Sequence, residues 1–145
     1  MMKLRYSPAG EEDVELLYAL SKDLIDTYED LASIDYDRVL AWVKRKITKH
    51  ITSYTCIFNR DEKVGYYRLS QVSGGTELDD LYILPEYRNR GIGSEILEKI
   101  VQETEKPLFL YVFTGNTSAI RLYQRFGFRQ MEQVSPTRII MAVNG

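Results

Sequence analysis

The stretch ELDDLYILPEYRNRGIGSEILEKIVQETEKPLFLYVF, residues 77–113, changes its hydrophobic period twice. Residues 77–84 read as a strand, and Pro85 closes it. From Ser94 onward, Ile96, Leu97, Ile100 and Val101 fall on one stripe at helical spacing, which Pro107 ends. LFLYVF, 108–113, is then continuously apolar, the pattern of a strand covered on both faces. Strand, glycine turn, helix and strand in that order make a parallel βαβ unit.

The turn itself is RNRGIGS, 88–94. A strand-to-helix turn exposes the first helical N–H groups, which have no intrahelical partners. The helix dipole adds partial positive charge at the same place, so the turn is an anion site whose usual guest is phosphate. Glycine allows a ligand to come close to the backbone and permits positive φ. Arg88 and Arg90 add full charges. The same residues also suit a plain tight connection with two surface arginines. Two familiar phosphate loops fit poorly. A P-loop needs Gly-Lys-Ser/Thr, whereas Gly93 is followed directly by Ser94. A dinucleotide fingerprint needs Gly or Ala three residues after the second glycine, and that position is Ile96.

Working outward toward the N-terminus, VGYYRLSQV (64–72) and TSYTCIF (52–58) are rich in aromatic and β-branched residues and flank the connection NRDEK. SGGT (73–76) is a second turn. Two amphipathic helices precede them, 11–28 and 36–50, and KLRYS (3–7) is a short first strand stopped by Pro8. Toward the C-terminus, 116–128 is a short helix, capped by Asn116 or Thr117 and stopped by Gly127. FRQMEQV and TRIIMAV make two closing strands around Ser135 and Pro136.

Composition limits the chemistry. The chain of 145 residues is 44% hydrophobic and 28% charged, which suits one domain over 1–145. Its net charge of −2 argues against nucleic acid held by bulk positive charge. No apolar signal region opens the chain and no run approaches a membrane span, so the expected location is cytoplasmic. Cys56 and His50 are the sole residues of their types; they suit a buried strand position and a solvated helix end, and cannot build a His/Cys zinc site. No metal is expected.

LYILPEYRNRGIGSEIL resembles the acetyl-CoA pyrophosphate loop of the GNAT superfamily of N-acetyltransferases. That loop reads Arg/Gln-x-x-Gly-x-Gly/Ala, matched by Arg88, Gly91 and Gly93. The strand before it is matched at Tyr82, Ile83, Pro85 and Tyr87. The downstream pattern Asn-x-x-Ala-x-x-x-Tyr-x-x-x-Gly-Phe is matched by Asn116, Ala119, Tyr123, Gly127 and Phe128. The resemblance implies a single mixed α/β domain in the order β-α-α-β-β-β-α-β-α-β-β. Its sheet would have about seven mainly antiparallel strands, with a splayed parallel pair at the centre and flanking helices.

The resemblance also implies a reaction, acetyl transfer from acetyl-CoA to a primary amine. Backbone around Asn89, Arg90, Gly91, Ile92, Gly93 and Ser94 would hold pyrophosphate. Pantetheine would pair with the edge at Leu81, Tyr82 and Ile83, and Asn116 would hydrogen-bond the pantetheine or the edge left open. Tyr123 would protonate the leaving thiolate, and a backbone N–H near Leu81 would polarise the carbonyl. Glu77, Asp79 and Asp80 are candidate bases, with Glu77 favoured. By alternation Glu77 and Asp79 share a face and Asp80 opposes them unless a bulge intervenes. The family's closing strands often pair between subunits, so a homodimer is an expectation. The alternative reading is a non-catalytic acyl-CoA-binding regulatory module.

The connection DLIDTYEDLASIDYD (23–37) is acidic and carries no cation. Beside an acceptor cleft its acids would attract a cationic amine, with Tyr28 and Tyr36 adding cation–π contacts. As an ordinary turn, the same acids would face water and serve the next helix's N-terminus.

Overall fold

A computed structural model of the chain describes residues 3–144. In chain order the elements are β1 (Leu4–Pro8), α1 (Val14–Tyr28), α2 (Tyr36–His50), β2 (Tyr54–Asn59), β3 (Glu62–Val72), β4 (Gly75–Ile83), α3 (Ile92–Glu103), β5 (Leu108–Phe113), α4 (Thr117–Arg125), β6 (Arg129–Ser135) and β7 (Arg138–Val143). The order is the one expected. The seven strands form one sheet, β1-β2-β3-β4-β5-β7-β6, in which only β4 and β5 run parallel.

Two cores sandwich the sheet. On one face α3 packs Ile92, Ile96, Leu97 and Ile100 against Leu78, Leu108, Leu110 and Phe128, with Ala119, Ile120 and Leu122 of α4 at the margin. On the other, α1 and α2 pack Leu17, Leu40, Val43 and Ile47 against Tyr54, Tyr66 and Tyr82. Strand alternation sorts residues between these cores, because successive side chains point to opposite faces.

The feature that positions the site is the parallel pair. Only Thr76 with Leu108 and Glu77 with Phe109 are in register, although β4 runs on to Ile83 and β5 to Phe113. Beyond those two rungs the strands splay, and each carries an edge of unpaired backbone groups into the middle of the sheet. This corrects the expectation that LFLYVF is covered on both faces. Leu108, Leu110 and Val112 are buried, but Tyr111 is 40% exposed, because the second face of β5 opens onto the splay.

Element ends differ from the expectations for local reasons. Pro8 belongs to β1, opposite Thr55, and is tolerated because β1 is an edge strand. The β2–β3 hairpin is tighter than the five-residue connection expected: Glu62 already pairs with Asn59, and Arg60 takes φ 58°. Helix α3 begins at Ile92 rather than Ser94, with Gly91 as its N-cap, and it ends at Glu103 well before Pro107.

Candidate active site

The splay opens a cleft of about 1330 Å³, walled by β4, β5, α1, α2, the 88–94 turn and α4. At one end sits the glycine turn. Gly91 has φ +82°, and a Cβ built there would point into open space. Asn89 is also left-handed, at φ 64°. The first backbone bond into α3 runs from Glu95 N–H to the Gly91 carbonyl, 3.1 Å, and Gly91 offers no side-chain cap. The N–H groups of Ile92, Gly93 and Ser94 therefore lack helical partners, the arrangement that accepts an anion. Arg88 Nε donates to the Ile83 carbonyl at 2.9 Å and ties the turn to the end of β4. Arg90 stacks over the Tyr87 ring, 5.6 Å from its centroid, so of the two arginines only Arg88 lines the cleft. The Ile92 side chain is buried, leaving only its backbone to the turn.

Arg125 was not anticipated. It reaches from the last turn of α4 to donate to Ser94 Oγ at 3.1 Å, adding a second guanidinium beside Arg88 at this end of the cleft. Its signal lies in tertiary structure, thirty-one residues away in sequence.

Asn116 caps α4, its Oδ1 accepting from Ala119 N–H and Ser118 Oγ, both at 3.4 Å, and it also lines the cleft. Tyr123 lies on the same helix. Gly127, at φ 92°, lets the chain turn back, so that Gly127 N–H bonds the Gln124 carbonyl and Phe128 N–H bonds the Tyr123 carbonyl. This is a Schellman ending, and buried Phe128 anchors it against the Tyr123 ring, 5.7 Å between centroids. The Tyr123 backbone is thus fixed. Its pKa is pushed up to about 12, by burial and then by the charge of Asp80. Tyr123 lines the cleft, and no buried side-chain polar atom is without a hydrogen bond among the described residues, so its unbonded hydroxyl opens to the cleft.

The acids of β4 form the floor on the α1/α2 side. Arg68 is opposite Asp80 and Leu69 is opposite Leu78, so Asp79 is an extra residue, a β-bulge. The bulge answers the question that alternation left open. Asp79 and Asp80 both bond Lys46, at 2.9 and 3.4 Å, while Leu78 and Leu81 both join the α3/α4 core. Asp80 also accepts from Tyr54 at 2.6 Å and Tyr82 at 2.9 Å, and Asp79 accepts from Arg68. The Tyr82 ring is committed to the tyrosine-rich core, so its contribution to the cleft is backbone. Glu77 is half-buried and in no salt bridge among the described residues; burial, and then the neighbouring Asp79, push its pKa above the usual carboxylate range. Lys46 stays above its ordinary value: burial opposes this, but the carboxylates of Asp80 and Asp79 outweigh it.

The acidic connection divides between the two expectations. Asp30 and Asp35 are helix caps, accepting from Ala32 N–H and Arg38 N–H at 3.3 Å. Asp26 bonds Lys22 and Tyr36. Asp23 and Glu29 line the cleft, and Glu29 accepts from Thr137 at the β6–β7 turn. His50 ends α2 half-buried beside the cleft rather than fully solvated.

Comparison with known proteins agrees with this geometry. Over 62 residues the chain is 37% identical to a spermine/spermidine N(1)-acetyltransferase of Bacillus subtilis, a match spanning 39% of this chain and 41% of that protein. A longer match, 27% identical over 129 residues, covers 88% of this chain and 85% of the peptidyl-lysine N-acetyltransferase YjaB of Salmonella typhimurium. Among solved structures, the PaiA N-acetyltransferase of Thermoplasma acidophilum, in complex with coenzyme A, shares the fold at TM-score 0.71 and 22% identity, over 99% of this chain and all of that one. An acetyltransferase from Thermus thermophilus superposes at TM-score 0.72 and 22% identity, over the full length of both chains. The family model described as "Acetyltransferase (GNAT) family" matches residues 17–128, and this chain, with its splayed parallel pair and uncapped glycine turn, belongs to that family.

Proposed function

We propose that the cleft transfers an acetyl group from acetyl-CoA to a primary amine. The observation that carries this is the splay: a fixed tyrosine hydroxyl, two free strand edges and an uncapped helix N-terminus face one space. The residues fit the cosubstrate. Three unpaired helical N–H groups with Arg88 and Arg125 suit a pyrophosphate, and the open β4 edge at 81–83 suits an amide-rich arm by strand addition. When bound, acetyl-CoA supplies the acetyl group already activated as a thioester.

Each residue then has a task. Glu77, its pKa raised by burial, takes a proton from the acceptor ammonium, directly or through water. The nitrogen forms a bond to the acetyl carbon as the carbon–sulfur bond breaks. Backbone N–H beyond the bulge, near Leu81, polarises the carbonyl oxygen. Tyr123 gives its proton to the departing sulfur, and the second proton that the acetylated nitrogen loses returns through water to the phenolate. The acceptors named for the relatives, a polyamine and a peptidyl lysine, both carry primary amines, which supports that class. Cytoplasmic residence and a homodimer belong to the same reading. The outer edge strand β6, with Met131 57% exposed, is the available pairing edge. No helix among the described residues is long and apolar enough to cross a membrane.

The test is thiol release with acetyl-CoA and a panel of amines. Turnover is expected with at least one primary amine; thermal stabilisation by CoA without thiol release would favour a regulatory binding module. In an active assay, Glu77→Gln should lower kcat/KM by about 10²-fold and remove the acidic limb of its pH profile. An unchanged profile would dismiss Glu77 as the base.

Gly91→Ala provides a separate check on the anion end. At φ +82° any side chain is strained, by roughly 1–2 kcal/mol, and the added Cβ enters the open space a phosphate would use. CoA affinity measured by calorimetry should fall at least ~10-fold, set against a loss of only that strain in thermal stability. Normal affinity would remove the pyrophosphate assignment.

A further inference from the structure

The charges on the α1/α2 side of the cleft do not all find partners. Lys46 is paired with Asp79 and Asp80, and Arg68 with Asp79. Glu77 and Arg138 are both half-buried, both line the cleft, and neither has an ionic partner or a side-chain hydrogen bond among the described residues; Glu29, half-buried on the same cleft and likewise without an ionic partner, is held by the Thr137 hydroxyl. Partly buried charges are costly to leave alone, so a site that holds one of each sign is built for a ligand that brings the complements.

Their placement is ordered. Glu77 faces Phe109 across the last rung of the parallel pair. The Phe109 and Tyr111 rings meet edge to face, 6.3 Å between centroids. The Arg138 guanidinium lies over Tyr111 at 4.9 Å and Phe113 at 5.9 Å. Ile139 and Met141 enter the α3/α4 core, so Arg138, next to Ile139 on β7, projects on the opposite face, the one shared with Glu77. Anion, aromatic floor and cation thus follow one another on a single face. Arg138 pairs with Phe113, four residues along β5 from Phe109 and two strands from β4, and its side chain comes back between the Tyr111 and Phe113 rings. From strand spacing and rise, Glu77 and the guanidinium are separated on the order of 10 Å. That is too far for a direct ion pair, and close enough for one small molecule to bridge. Stacking fixes the plane of the guanidinium while leaving its edge donors free for a bidentate acceptor.

We infer that the acceptor is an amine that also carries a carboxylate, with its nitrogen at Glu77 and its carboxylate on Arg138. This rests on the acetyl-transfer reading and leaves the bonds made and broken unchanged: the amine nitrogen gains the acetyl group and loses two protons, the first to Glu77 and the second through water to the Tyr123 phenolate left when the sulfur is protonated. A polycation would set its second charge against Arg138, an unfavourable juxtaposition. The arrangement therefore selects amino acids, or amines displayed beside a carboxylate, over diamines of equal length.

The test is a matched series of primary amines at saturating acetyl-CoA, read by thiol release and product mass. It comprises ω-aminoalkanoates from glycine to 5-aminopentanoate, the corresponding n-alkylamines, and the α,ω-diamines. At one or more lengths the aminoalkanoate should exceed its alkylamine by ~10- to 100-fold in kcat/KM, as expected for a charge-assisted hydrogen bond. Arg138→Gln should bring that ratio to about one, and Arg138→Glu should invert it in favour of the diamine. CoA binding by both variants reports that the fold is intact. Acetylation of alkylamines or diamines as readily as aminoalkanoates, at every length, would overturn the carboxylate assignment while leaving acetyl transfer standing. A preference that survives Arg138→Glu would also overturn it. Thiol release with none of the three series would count against the transfer reading itself, and this inference would go with it.

Discussion

Tyr123→Phe is expected to lower kcat by about 10²–10⁴-fold, the usual contribution of a positioned general acid, with CoA affinity nearly unchanged. The substitution removes one oxygen and keeps the ring that packs on Phe128. Helix α4 should survive, because its Asn116 cap and its Gly127 ending use backbone and side chains other than the Tyr123 hydroxyl. Burial and the charge of Asp80 push the Tyr123 pKa up to about 12, so the phenol holds its proton at neutral pH until the departing thiolate forms beside it. Single-turnover measurement separates the chemical step from product release. If the chemical step of Tyr123→Phe equals that of the parent, the proton comes from elsewhere, and a water held in the splay becomes the candidate.

The second large effect concerns stability and lies away from the cleft. Asp13, at the entry to α1, is 2% exposed. It accepts from Lys63, from Tyr66 at 2.7 Å, from Gly10 N–H at 2.9 Å and from the Cys56 thiol at 3.6 Å. Burial alone would raise its pKa, but the bonds from Lys63, Gly10 and Tyr66 hold it below the usual carboxylate range. Lys63→Met keeps most of the aliphatic stem and strands the buried carboxylate. The expected cost is about 3–5 kcal/mol, the range for breaking a buried ion pair on one side. At ~2–4 °C per kcal/mol for a chain of this size, the melting temperature should drop on the order of 10 °C.

The pH dependence gives this prediction its sign. In the parent the folded pKa of Asp13 is depressed, so its stabilisation is complete above the unfolded value near ~3.9 and fades as pH falls through the folded value. In Lys63→Met burial acts unopposed by the lysine and the folded pKa rises, so the folded state takes up a proton before the unfolded chain does. The stability gap between the two proteins should be full at neutral pH and shrink on acidification. Denaturant unfolding at pH 7.5 and 4.5 measures it; a gap that stays constant would mean the pair contributes packing rather than charge.

The order of elements was legible because each change of period in 77–113 has one structural meaning, and because glycine, proline and cap residues punctuate the rest. Asn116 as a cap, Gly127 as a stop and Cys56 as a buried strand residue are local facts, and they were found where local reasoning put them. What the sequence hid was tertiary. The bulge at Asp79 leaves no mark in composition, since an acid is equally at home on either side of it. Arg125, Lys46, Arg68 and Arg138 are unremarkable as letters; only the fold brings them from two helices and two strands to one cleft. The acidic connection reads two ways in sequence, and Asp30 and Asp35 take the plainer one, since both start helical turns.

The extra residue in β4 has a consequence best put as parity. Before Asp79, even-numbered residues of the strand belong to the α3/α4 core; after Asp80, odd-numbered ones do. One inserted residue thus acts as a frameshift in address rather than in code. Removing residue 79 would restore a single parity along the whole strand while deleting only one carboxylate. Either the acids would keep their place and Leu81, Tyr82 and Ile83 would each be sent to the opposite core, or the reverse. The half of the strand that carries the glycine turn and the half that carries Glu77 are therefore locked together by counting, so that a change in the length of β4 by one residue dismantles one end of the cleft even where every remaining side chain is kept.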